Sequence, residues 1–122
     1  MSTPRVVGML LLVASACSQG SERAVEELTG GSVARGKQAF RDYGCGTCHE
    51  VHGEHMAQGN VGPSFHDFAK QSYLPGGLIN SPTTLVRWIR HPREVEPRTA
   101  MPDLAVSERD ARDLAAYLYT MH

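Results

Sequence analysis

The chain has 122 residues, with 12 basic, 13 acidic and 6 histidine side chains and a formal net charge of −1 at pH 7. That length holds one domain beside a processing segment, and the balanced charge excludes the positive patterning by which nucleic-acid-binding proteins hold phosphates. Its three cysteines do not by themselves support any disulfide pairing.

Met1 to Ala16 carries one early charge, Arg5, followed by the apolar run Val6 to Val13. The run is too short to span a bilayer as a mature helix and suits the core of a secretory signal. Ala14-Ser15-Ala16 is an A-x-A cleavage site, and Cys17 follows it directly. The same bond therefore suits a lipoprotein peptidase that would leave Cys17 lipidated. Ala14 stands where lipoproteins usually carry a larger aliphatic residue. Against that, Cys17 is the odd thiol of an exported chain, which calls for an explanation. A lipid-anchored product is favoured over a soluble periplasmic one, and residues 1–16 are expected to be removed. Losing Arg5 leaves 11 basic against 13 acidic residues. Residues 17–31 are polar and acidic and are predicted to be a flexible tether, with at most a short helix around Ala24 to Leu28.

Residues 32–122 form the predicted domain. Ser32 caps a predicted helix from Val33 to Tyr43 that stops at Gly44. Val33, Gly36 and Phe40 share one face. A mid-helix glycine costs about 1 kcal/mol against alanine, so Gly36 points to another backbone passing close by. The stretch Cys45-Gly46-Thr47-Cys48-His49 follows. Two thiols three apart can each add to a vinyl group of one porphyrin, and the histidine is then held under the iron as axial ligand, the pattern of a c-type haem. Thioredoxin-like sites and zinc knuckles share the CxxC. The added histidine and the export signal single out one covalent haem as the expected cofactor.

Glu50 to Val61 has no regular period and is predicted to be a loop wrapping the haem. Cys45, Cys48, His52 and His55 also make a passable zinc pattern, but zinc leaves His49, the signal and a downstream methionine unexplained. His52, His55 and His66 are expected to be exposed loop residues. Met56 follows His49 too closely to reach the opposite face of a porphyrin. Gly62-Pro63-Ser64-Phe65 predicts a turn into a short helix with Phe65 and Phe68 on one side. Pro63 is either a plain turn proline or offers its carbonyl to the Nδ1–H of His49. Tyr73 to Asn80 is predicted to be a loop, in which Tyr73 either reaches a haem propionate or caps the core. Ser81-Pro82 starts a helix whose apolar face is Leu85, Trp88 and Ile89, ended by Pro92. Trp88 suits a large flat partner or an ordinary core.

Arg93 to Asp103 reads as irregular. Most methionines are core filler, but Met101 lies in a loop stiffened by Pro97 and Pro102, 52 residues beyond His49, where its sulfur can be presented to the iron. Arg87, Arg90, Arg93 and Arg98 outnumber Glu94 and Glu96 here, as a solvated face or as a docking or propionate-neutralising patch. Ser107 with Asp110 makes a near capping box, and the closing helix from Glu108 to Thr120 is expected to bury Ala111, Leu114, Ala115 and Leu118 beside Tyr117.

These motifs together resemble a class I c-type monohaem cytochrome over residues from about 33 to 121. The resemblance is carried by Gly36 with Phe40, by Cys45 to His49, by Gly62-Pro63, by Leu85 to Pro92, by Thr99-Ala-Met101-Pro102 and by Asp113 to Leu118. Within that family the chain is most similar to bacterial cytochrome c domains that serve haem–copper terminal oxidases, through Val61 to Phe65, the Tyr73 region and Thr99 to Thr120. The resemblance implies an all-α fold of three main helices, with short ones and long loops around one haem and the terminal helices crossing, Gly36 and Phe40 against Leu114 and Tyr117. It further implies a bond from His49 to the Pro63 carbonyl, one from Thr99 to a propionate, and Trp88 lining the methionine side. His49 and Met101 as the two metal ligands imply an outer-sphere electron carrier rather than an enzyme. Its implied partners are a quinol:cytochrome c reductase and a haem–copper oxidase on the outer face of a bacterial membrane. The alternative is a haem enzyme or sensor with a labile Met101 that admits peroxide or a diatomic gas.

Overall fold

A computed structural model describes residues 18–122; the signal reading of residues 1–16 and the lipidation reading of Cys17 lie outside the described residues. Where the polar composition suggests a flexible tether, residues 18–29 are helical (α1). The helix is held at its far end. Thr29 is buried and its hydroxyl donates to the Val25 carbonyl at 2.7 Å. The Glu26 carboxylate accepts from the Val33 N–H at 2.9 Å, which occupies one of the donors a helix start leaves unpaired. Tertiary contact thus orders a segment that local propensity leaves undecided.

Helix α2 (Val33–Asp42) is capped by the Ser32 side chain, which accepts from Arg35 N–H, and runs to Tyr43 at its C-cap. Gly44 turns the chain at φ 69°. Helix α3 (Pro82–Arg90) starts in a reciprocal box between Ser81 and Thr84 and buries Leu85, Trp88 and Ile89. Pro92 does not simply stop this helix. It opens a further turn, α4 (Pro92–Val95), because a proline is tolerated at the first helical position, where no N–H is needed. Helix α5 (Glu108–Leu118) is capped by Ser107. Its capping box stays open: the Asp110 carboxylate accepts from the Tyr43 hydroxyl at 2.8 Å instead.

Among the described residues the regular elements are helical apart from one small ribbon and an isolated bridge between Glu50 and Gln58. In place of the expected loop, β1 (Tyr73–Leu74) and β2 (Leu78–Ile79) pair antiparallel, Tyr73 opposite Ile79 and Leu74 opposite Leu78. Helices α2 and α5 cross at Gly36. A Cβ there would overlap the Asp113 carbonyl and lie 2.8 Å from Tyr117 Cβ. Phe40 stands edge-on to Tyr117 at 5.7 Å between ring centroids. The core is Phe40, Leu85, Trp88, Ile89 and the inner face of α5.

One strained position precedes α5. Ala105 has φ 53°, a left-handed conformation that costs a side-chain-bearing residue roughly 1–2 kcal/mol. The Asp103 carboxylate accepts its N–H at 2.9 Å and holds the turn. Part of the gain from Ala105→Gly is lost to the greater freedom of the unfolded chain. The variant is expected to be more stable by about 0.5–1 kcal/mol, read as a raised denaturation midpoint at unchanged slope; a lower midpoint contradicts the assignment of strain.

Candidate functional site

Immediately after Gly44 the chain makes one 3₁₀ turn over Cys45–Thr47, and the Cys45 carbonyl accepts from both Cys48 N–H at 3.2 Å and His49 N–H at 3.0 Å. Both thiols are free and half-buried. Burial pushes the Cys45 thiol up to about 11, so it is protonated at neutral pH. Thiol–disulfide chemistry needs the opposite, a thiolate stabilised by its surroundings. Gly46 is buried under the Met56–Ala57 backbone. The exposed part of this face is therefore Thr47 together with Met56, 77% exposed.

The His49 ring is fixed from several sides. Its Nδ1 lies 2.7 Å from the Pro63 carbonyl oxygen. A carbonyl only accepts, so Nδ1 carries the proton and Nε2 keeps its lone pair free for a metal. Gly62 leaves room for the ring: a Cβ there would come within 2.6 Å of Nδ1 and 2.9 Å of Nε2. Phe65 stacks on the imidazole with centroids 4.3 Å apart and planes 21° apart. The sequence places Phe65 only on the apolar side of a short helix. Its contact with His49 depends on the loop folding back, where Phe65 N–H donates to the Glu50 carbonyl at 3.0 Å, and the only signal for it in the sequence is an aromatic two residues after Pro63.

A second loop brings Thr99 and Met101 together. The Thr99 hydroxyl accepts from Met101 N–H at 3.1 Å, which leaves its own proton free to donate. Met101 is partly buried against the core. Trp88 is 8% exposed and belongs to that core. Tyr73 does not cap the core: it is 65% exposed on the ribbon. The arginine patch is partly neutralised, Arg90 approaching Glu108 and Arg98 approaching Glu96, each at 3.8 Å, while Arg87 and Arg93 are exposed. His52, His55 and His66 are exposed. Among the described residues no three His, Cys, Asp or Glu side chains gather as a metal cluster, so Cys45, Cys48, His52 and His55 do not assemble the zinc pattern.

The family model described as Cytochrome c matches residues 33–122. The chain is 34% identical over 104 residues to the cytochrome c oxidase subunit 2 of Alkalihalophilus pseudofirmus, a match covering 84% of this chain and 30% of that protein. The chain thus spans under a third of the relative's length. No solved structure matches. The residues fit a haem bound through thioethers and an imidazole: two unpaired thiols in one turn, a histidine whose Nδ1 is engaged by a carbonyl, and a glycine where a side chain would displace that ring. Over residues 33–122 the chain belongs to the cytochrome c family; it is an electron carrier whose cofactor is a covalently attached haem c.

Proposed function

We propose that Cys45 and Cys48 hold the haem as thioethers, that His49 and Met101 are its two axial ligands, and that the protein passes electrons singly to a terminal oxidase. The observation that carries this reading is the 2.7 Å contact between His49 Nδ1 and the Pro63 carbonyl, which fixes the tautomer and makes Nε2 the donor. The haem supplies a one-electron iron couple. Held by the His49 imidazole and the Met101 thioether, both strong-field donors, the iron would have its coordination completed by this chain, and the methionine would favour the ferrous form. No bond is made or broken as an electron passes. Thr99, its hydroxyl proton free, is suited to donate to a propionate, and Trp88 is suited to line the methionine side. Tyr73, on the exposed ribbon, is left a propionate contact at most.

The electron leaves through the face beside Cys45 and Thr47, where Met56 and Val61 stand 77% and 70% exposed. Because the relative is an oxidase subunit, a haem–copper oxidase is the proposed acceptor and a quinol:cytochrome c reductase the proposed donor, met through brief, small interfaces. A periplasmic location with a lipid on Cys17 accords with the signal. No described helix is long and apolar enough to cross a membrane.

The oxidised protein is expected to show the near-infrared thioether-to-iron charge-transfer band, and its reduced form is expected not to bind carbon monoxide. Met101→Ala is expected to abolish the band, admit carbon monoxide and lower the reduction potential. An unchanged spectrum in Met101→Ala would remove Met101 from the iron. Carbon monoxide binding by the unsubstituted protein would favour an enzyme or sensor with a labile Met101.

A further inference from the structure

We propose that Phe65 is a positioning residue that sets the plane of the His49 imidazole; the inference rests on His49 being an axial ligand. One hydrogen bond to Pro63 directs the ring edge but acts as a hinge, about which the imidazole can still swing out of its plane. The Phe65 face, 4.3 Å away and within 21° of parallel, blocks that swing on one side. Offset aromatic stacking at this separation is attractive as well as steric.

Phe65 can do this because it is itself held. Phe68 meets it edge-on at 5.5 Å and 89°, and Phe40 does so at 6.1 Å and 71°. Its N–H is tied to the Glu50 carbonyl and its own carbonyl accepts from Phe68 N–H at 3.1 Å. Phe40 in turn packs on Tyr117, so the imidazole plane is referred through two rings to the crossing of α2 and α5. The arrangement is that of a supporting shell that locks the rotamer of a ligand.

In a low-spin ferric haem held by His49 and Met101, the imidazole plane and the orientation of the methionine sulfur together set the order and spread of the haem-methyl proton resonances. Nuclear Overhauser contacts of the His49 ring protons and the Met101 methyl with the haem tell which of the two has moved. Phe65→Leu in the full holoprotein is expected to change that order while the covalent haem and the thioether band persist. Phe65→Tyr, which keeps the ring, is expected to restore the original pattern. Phe68→Leu removes one of the rings that hold Phe65 but leaves Phe65 stacked on His49; it is expected to lower stability comparably while shifting the methyl resonances less than Phe65→Leu does. An unchanged order in Phe65→Leu overturns the proposal, as does an equal change in Phe68→Leu. Should Phe65→Leu fail to fold, Phe65→Met, which also removes the ring stacked on His49, takes its place: a changed order supports the proposal and an unchanged order overturns it. Failure of the underlying reading looks different, because unsubstituted protein would then lack the low-spin spectrum altogether.

Discussion

Gly36→Val is expected to destabilise the domain by about 3 kcal/mol or more, enough to leave it largely unfolded at elevated temperature if total stability is in the ordinary range of about 5–15 kcal/mol. Helix propensity alone predicts the reverse sign, since glycine is the worse helix former, by about 1 kcal/mol against alanine and less against valine. Sterics decide it. A Cβ at Gly36 overlaps the carbonyl of Asp113 and crowds Tyr117 Cβ at 2.8 Å. The obstacle is helix backbone, which cannot rotate away as a side chain would. The helices would have to separate, opening the Phe40–Tyr117 contact of 5.7 Å and the buried row Leu114, Ala115 and Leu118 behind it. Ala34→Val on the exposed side of α2 is the control, expected to cost only the propensity difference, about 0.6 kcal/mol. Denaturant melts of the two holoproteins check the prediction; equal midpoints would show that the crossing is not as tight as the geometry makes it.

That crossing could be anticipated because its determinants are local. Ser32, Ser81 and Ser107 are cap residues placed directly before periodic apolar runs, and a lone glycine in such a run has few explanations other than a close backbone. The stretch Cys45 to His49 stands out as plainly, because two thiols three apart with a histidine directly after them have few uses, and the family match over residues 33–122 accords with it. What escaped were features made by folding rather than by sequence neighbours. Helix α1 has no apolar stripe and owes its order to Glu26 meeting the start of α2, to the buried Thr29 and to Val25 packed against the core. The ribbon at Tyr73 to Ile79 has strands of two residues, too short for an alternating pattern. Phe65 touches His49 only after the loop returns. Asp110 reads as the partner of Ser107, yet its short side chain serves Tyr43 across the helix pair. An acidic residue in an otherwise apolar helix face, Asp113, carries no sign in the sequence of being buried.

Asp113 is the second position at which a large effect is expected. It is 2% exposed, and its carboxylate accepts three hydrogen bonds: from Ser32 N–H at 2.7 Å, Arg35 Nε at 2.8 Å and Arg35 Nη2 at 2.9 Å. Asp113→Ala would leave the cap N–H of α2 and the guanidinium without their acceptor. Breaking a fully buried pair costs about 3–5 kcal/mol; Arg35 is 53% exposed and can turn to water, so about 2–3 kcal/mol is expected here. Acidity provides a second reading of the same contact. Burial alone would raise the Asp113 pKa, but the Arg35 and Ser32 hydrogen bonds and the Arg35 charge outweigh it and hold the group below its ordinary value of 3.8. A carboxyl depressed in the folded state stabilises fully above the unfolded value, and that stabilisation is lost as pH falls through the folded value. The melting-temperature gap between the unsubstituted protein and Asp113→Asn should therefore be constant near neutrality and shrink only below pH 3.8. A gap that stays constant through strong acid would mean that the Asp113 charge contributes nothing to holding α2 against α5.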